Sequence, residues 1–373
     1  MAELDPGLTI RAVRARPVEL VLARPVETAA GAIRTAPLVL IDLSTHEGVS
    51  GRAYLRSYAP AALGPLADLV GNLTELVAGE PAIPPDVHAK LLTQVRLLGA
   101  QGLVLMAIAG IDMALWDAQA RAAALPLATL LGGAPGPVPA YASLRCMDAR
   151  AAAGEAEEAV ATGFDAVKVK VGRSGLAADL ETVRAIRTAV GDGVDLMVDY
   201  NQSLSVDDAI ARARALDDEG IDWIEEPTRS DDYEGHARIA AAARTPVQLG
   251  ESFWGPEDLE KAIAARACGH VTLDVMKLGG VTGWLRAAEL AQAAGLPASS
   301  HTFPELSAHL LTVTPTRHRL EYLDHAGPIL RDPVRVEDGQ AIVPTDRPGA
   351  GIEWDEEEVE RLAAGRAGGR ARR

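Results

Sequence analysis

The sequence predicts a (β/α)8-type, TIM-like barrel with an α+β N-terminal capping domain that the C-terminal segment completes. Three observations carry this expectation. From Pro137 onward, short apolar strands alternate with Ala-rich helices. Ahead of it, residues 7–57 alternate as antiparallel strands, and residues 60–132 show helical apolar periodicity. Finally, Asp199, Glu225 and Glu251 each close a short apolar run, at intervals of 26 and 26 residues, about one strand–helix repeat. The 373 residues exceed the roughly 250 of a bare barrel, which leaves room for a second domain.

The cap is expected over residues 1–135. LTIRAVRARPVEL, PLVLIDLST and GVSGRAYL read as its strands, the last two joined by a turn at 46–48. Residues 23–37, rich in Ala, Gly and Thr, read as a poor strand and a mobile loop that closes over a ligand. The barrel is expected over 136–325, with strands at 138–143, 165–171, 195–201, 221–227, 246–251, 270–277, 297–301 and 319–324. No G-x-G-x-x-G follows the first of them, which argues against a dinucleotide fold. After 325 the alternation stops. PVRVEDGQAIVP reads as a hairpin, and 326–373 is expected to return to the cap, with 364–373 a disordered tail.

Composition narrows the function classes. A net charge of −16 disfavours nucleic acid and anionic membrane as partners, although a pocket can still hold local positive charge. The hydrophobic fraction of 48% and charged fraction of 24% are globular. No apolar run of spanning length and no signal peptide are apparent. Two cysteines are too few for a disulfide framework, and a reducing, cytoplasmic setting is expected.

The chemistry concentrates at strand ends. In a barrel, the C-terminal ends of successive strands converge on one mouth. Three acids there repel one another unless a cation lies between them, and an all-oxygen set suits a hard ion such as Mg2+. Lys168 and Lys170 lie two apart in a strand and share one face. With Val167, Val169 and Val171 against the helices, both lysines point into the barrel, where mutual repulsion lowers a lysine pKa towards that of a general base. The alternative is an exposed edge strand with solvated lysines. Asp274 and His301 end the sixth and seventh strands, within reach of each other; an aspartate on one imidazole nitrogen fixes the tautomer and raises the basicity of the other. Glu321, in the eighth strand, reads as a buried carboxylic acid that donates to an oxyanion, or as an ion-pair partner of Lys170 or Arg319. Ser143, Asn201 and Lys277 are weaker candidates for binding ligand oxygens.

These residues, with LMVDYNQSL, WIEEPT, DDYEGH, MKLGGVTGW, SSH, SAHLL and TAPLVLID, give the chain a sequence that closely resembles the enolase superfamily and, within it, the mandelate racemase subgroup, over residues 7–360. The resemblance implies one Mg2+ per subunit on Asp199, Glu225 and Glu251. It implies Lys168 at the substrate carboxylate, Lys170 and His301 as bases on the two faces of the α-carbon, Asp274 supporting His301, and Glu321 on the developing enediolate. The expected outcome is racemisation of a mandelate-like 2-hydroxy carboxylate; the alternative is an acid-sugar dehydratase on the same scaffold. A homo-oligomer, an octamer, is implied as well. The resemblance also implies that cap loops at about 23–37 and 52–60 set substrate specificity, with Val26, Ile33 and Tyr58 lining an apolar pocket. The chain departs from the subgroup at Arg56, where a phenylalanine is expected, and at Glu27, where a histidine is. Arg56 either pairs with Glu27 and leaves an apolar pocket, or meets a polar or anionic substrate tail. A barrel that binds metal without catalysis would need neither Lys170 nor His301.

Overall fold

The computed structural model describes residues 2–29 and 31–362; the tail expected to be disordered, 364–373, lies outside them. The cap opens with strands β1 (Ile10–Thr28), β2 (Gly31–Thr45) and β3 (Ser50–Arg56), antiparallel in that order. Four helices follow: α1 (Pro60–Glu75), α2 (Pro84–Val95), α3 (Leu103–Ala122) and α4 (Leu127–Leu130). α3 is long and apolar enough to cross a membrane, but nearly all of it is buried, as befits a core helix. It packs directly on the sheet. Gly51 permits this, because a Cβ there would lie 1.9 Å from the Ala114 carbonyl oxygen.

The expectation of a poor strand over 23–37 is corrected. β1 and β2 continue through this region as a two-stranded ribbon, pairing Val26 with Ile33 and Thr28 with Gly31 after a register shift between Val21 and Val26. Weak intrinsic strand propensity is overridden by tertiary anchoring. Val26 is buried, the Glu27 backbone N–H donates to the Arg145 carbonyl, and the Met147 N–H donates to the Glu27 carboxylate.

The barrel strands are β4 (Pro137–Ser143), β5 (Ala166–Lys170), β6 (Asp195–Asp199), β7 (Ile221–Glu225), β8 (Val247–Leu249), β9 (His270–Leu273), β10 (Ala298–Ser300) and β11 (Leu320–Tyr322). Neighbours pair in parallel, and β11 pairs with β4. The ring closes where the Ala298 and Ser300 N–H groups donate to Thr316 and Arg319 carbonyls, and the His318 N–H to that of Ala298. Seven helices connect these strands: α5 (Ala149–Ala161), α6 (Leu176–Val190), α7 (Val206–Leu216), α8 (Tyr233–Ala242), α9 (Pro256–Ala265), α10 (Val281–Ala294) and α11 (Pro304–Thr312). β11 is followed by a short 3-10 turn, Gly327–Ile329, rather than an eighth helix.

The C-terminal hairpin, β12 (Val336–Glu337) and β13 (Gln340–Ile342), adds antiparallel to the start of β4 and so belongs with the barrel. The chain then reaches the cap. Glu353 pairs with Arg52 and Arg121, and the Trp354 indole N–H donates to Asp42.

Candidate active site

Strand register assembles the site. Lys170 lies beside Asp199, Asp199 beside Glu225, and Ser143 beside Lys168. Inside the barrel, Tyr141, Ala166, Met197 and Trp223 form a separate buried apolar cluster. Lys168 follows Ala166 by two residues and so shares its inward face, with its ammonium 5.3 Å from the Tyr141 ring centre. Val167, Val169 and Val171 are buried in the main core.

Asp199, Glu225 and Glu251 bring one oxygen each to within 4.8 Å of one another. Glu251 does not end a strand as expected. It lies two residues beyond β8, and Gly250 makes the turn with φ +137°; a Cβ there would come within 2.1 Å of the Thr272 carbonyl oxygen. Three carboxylates are a donor set for a hard, oxygen-loving cation. The surroundings fit one. Burial, beyond what the Lys168 charge offsets, pushes Glu225 up to about 8, and Asp199 is raised chiefly by burial too. Glu251, despite its burial, is held down at about 2 by His301, Lys277 and Lys168. Asn201 donates to Asp199 through its amide, 2.9 Å, while its buried side-chain oxygen has no partner. An array this costly is what a divalent cation would stabilise.

Lys168 bridges two acids, at 2.8 Å from both Glu225 oxygens and 3.0 Å from Glu321. This corrects the expected lowering of its pKa. Burial does oppose the charge, but Glu225 and Glu321 outweigh burial, and Lys168 is raised well above the ordinary lysine value. Glu321 is corrected with it. Burial is overcome by Lys168, His301 and Lys170, so the group is held ionised, far below the usual carboxylate range. Its partner is neither Lys170 nor Arg319; Arg319 pairs instead with Asp165 and Asp195.

Lys170 stands at one end of the triad, 4.0 Å from Asp199, and donates to the Ser143 hydroxyl at 3.4 Å. His301 stands at the other, with Nε2 3.5 Å from Glu251 and 3.8 Å from Glu321. Its Nδ1 is 2.6 Å from Asp274, which leaves Nε2 facing the triad. Burial favours neutral imidazole, but Glu251 and the Asp274 bond raise the His301 pKa. From the cap, Tyr58 donates to Asp274 at 3.4 Å, and the Lys277 and Arg56 cations each lie 4.7 Å from the Tyr58 ring centre. Val26 and Ile33 face each other across the ribbon, docked on the loop after β4.

The two alternatives for Arg56 are separated by Glu27. Glu27 is held by Arg173 at 3.4 Å and by the Met147 N–H, and it does not pair with Arg56. Sequence reasoning missed Gln248, whose amide donates to Glu225 at 3.0 Å, although a polar residue inside an apolar strand was a usable signal. It missed buried Glu226, bonded to Gln202 at 3.0 Å, and buried His325, four residues past Glu321.

The family model for the mandelate racemase / muconate lactonizing enzyme N-terminal domain matches residues 10–132, and the enolase C-terminal domain-like model matches residues 151–359. The chain is 34% identical over 349 residues to a 3,6-anhydro-alpha-L-galactonate cycloisomerase of Streptomyces coelicolor, covering 90% of this chain and 94% of that one. It is 30% identical to an L-talarate/galactarate dehydratase of Salmonella typhimurium, covering 86% and 81%. A Bradyrhizobium enolase solved with magnesium and mandelic acid superposes with a TM-score of 0.91 at 42% identity, covering 97% of this chain and 99% of that one. The chain belongs to the mandelate racemase / muconate lactonizing enzyme family of the enolase superfamily.

Proposed function

From that membership we propose that the protein abstracts the α-proton of a 2-hydroxy carboxylate and returns a proton to either face, acting as a Mg2+-dependent racemase. The observation that carries this reading is the placement of two basic groups, Lys170 and His301, at opposite ends of one carboxylate triad. Asp199, Glu225 and Glu251 would hold the Mg2+. When bound, the ion supplies Lewis-acid stabilisation of negative charge on the substrate carboxylate.

The remaining chemistry belongs to the chain. An α-proton beside a carboxylate is very weakly acidic, because its removal places a second negative charge on the carboxylate oxygens. Lys168, fixed between Glu225 and Glu321 and held charged, offers an ammonium to those oxygens. Glu321, fixed by the Thr302 N–H at 3.1 Å, stays ionised and holds the Lys168 ammonium in place beside them. Lys170 Nζ takes the proton from one face. His301 Nε2, with Nδ1 engaged by Asp274, takes it from the other or returns it. Asn201, Ser143 and Lys277 would orient ligand oxygens, and Val26, Ile33, Arg56 and Tyr58 would set what lies beyond the α-carbon. Dehydration of an acid sugar is the second reading, favoured by the dehydratase and cycloisomerase relatives and by the buried cation at Arg56. In it, His301 delivers its proton to a leaving β-hydroxyl.

The test is exchange of the α-hydrogen in D2O with Mg2+, one enantiomer at a time. The expected outcome is that H301N abolishes exchange from one enantiomer and K170R from the other, each by at least about 100-fold. Loss of exchange from both enantiomers in both variants would sink the two-base assignment. Formation of 2-keto-3-deoxy acids without racemisation would select the second reading.

A further inference from the structure

Beneath the carboxylate triad, one side of the barrel lumen is polar. Gln248, Thr272 and Ser299 are fully buried on the successive strands β8, β9 and β10. Their chain neighbours Val247, Leu249, Val271, Leu273 and Ala298 lie in the main core, so strand alternation turns these three side chains into the lumen. Register brings them together. Thr272 pairs directly with Ser299, and they precede Asp274 and His301 by two residues each, one layer deeper in the barrel. Gln248 pairs with Glu225 on one side and, on the other, with His270, two residues before Thr272.

Gln248 uses only half of its amide. Nε2 donates to Glu225 at 3.0 Å, while Oε1 is buried and has no partner among the described residues. The Thr272 and Ser299 hydroxyls are likewise buried without partners, so none of the three bonds another. A fourth such atom, the Tyr141 hydroxyl, belongs to the same lumen, its ring centre 5.5 Å from that of Trp223. Buried polar atoms left unpaired are costly, and two to four of them gathered in one place are what an internal water bridges. An ion is a poorer occupant, because an amide oxygen and neutral hydroxyls carry no charge to offset its desolvation.

The consequence is the orientation of the amide. Turned over, Gln248 would set Oε1 against the Glu225 carboxylate, oxygen on oxygen. A water that donates to Oε1 and accepts from Thr272 or Ser299 leaves the N–H on Glu225 with both ends of the amide satisfied. We propose that Gln248, Thr272 and Ser299 hold an internal water beneath the triad, and that this water, through Gln248, positions Glu225 and so sets the affinity for Mg2+. Gln248 is thus a positioning residue for the metal, whichever of the two reactions the triad serves.

The experiment has two arms. In a high-resolution crystal structure of the wild-type protein, an ordered water is expected within hydrogen-bond reach of Gln248 Oε1 and of at least one of the two hydroxyls. Calorimetric titration with Mg2+ is then run on Q248M, on T272V/S299A and on the triple variant, each checked for folding by circular dichroism. Q248M should weaken Mg2+ binding by about tenfold or more, and T272V/S299A by about fivefold. The triple variant should bind no more weakly than Q248M, because the hydroxyls act only through the amide. T272S keeps its hydroxyl and should retain the wild-type affinity, which a role in packing the Thr272 methyl would not allow. No water at that position in the wild-type density would overturn the proposal, and this arm stands even if a variant fails to fold. Wild-type affinity in T272V/S299A, or losses that simply add in the triple variant, would overturn it as well.

Discussion

Asp112 is a carboxyl group buried in α3 with no cation paired to it among the described residues. It accepts from the Thr282 hydroxyl and, at 3.0 Å, from the Thr282 N–H at the start of α10, so it joins cap to barrel. Burial pushes its pKa up to about 7, against the hydrogen bonds from Thr282 that lower it. The folded state therefore binds this proton more tightly than the unfolded chain does. The resulting stability is fully present below about pH 4 and is lost as pH rises through about 7, at up to about 1.4 kcal/mol per pH unit. Urea unfolding midpoints of wild type and D112N should accordingly diverge between pH 4 and 7, with the wild type losing ground. Parallel pH profiles would show that Asp112 is ionised throughout. At this scale the sequence was readable where chemistry repeats with the fold: the 26-residue spacing of Asp199, Glu225 and Glu251 marks the triad by itself. Charge state was not readable. The ionisation of Glu321 depends on Lys168, far away along the chain, and the partner of Glu27 is Arg173, 146 positions away.

The strands that aim these groups differ in how firmly local sequence sets them. The barrel strands carry continuous apolar runs, and their positions follow from them. The ribbon at 23–37 has no such run, and its order comes from contacts with the loop after β4, which is why composition alone suggested mobility. The turn after β8 sits between these cases. Gly250 was visible in the sequence, but the need for it was not, since it arises from the Thr272 carbonyl on the neighbouring strand. G250A should force that strand end apart and swing Glu251 out of the triad. Calorimetric titration with Mg2+ is expected to show affinity reduced at least tenfold. Wild-type affinity in G250A would mean that the turn does not set the ligand position.

Cap and barrel are held together by the chain's last described residues. Asp117 in α3 accepts from the Ala350 and Arg52 N–H groups, Arg121 pairs with Glu353 at 2.8 Å, and Trp354 is buried with its indole N–H 2.8 Å from Asp42. W354A should cost roughly 3 to 5 kcal/mol of unfolding free energy by urea titration. Because Trp354 makes no contact with the triad, the Mg2+ dissociation constant should be unchanged; a loss of affinity would mean that cap and metal site are coupled through this segment. The same contacts impose an order in time. The cap sheet is synthesised before the barrel, yet Asp42, Arg52, Arg121 and Asp117 wait for partners at least 231 positions later. Until residues 350–354 are made, the cap lacks those partners, so its final packing follows the completion of the barrel, and a product truncated before them is a cap without its seal.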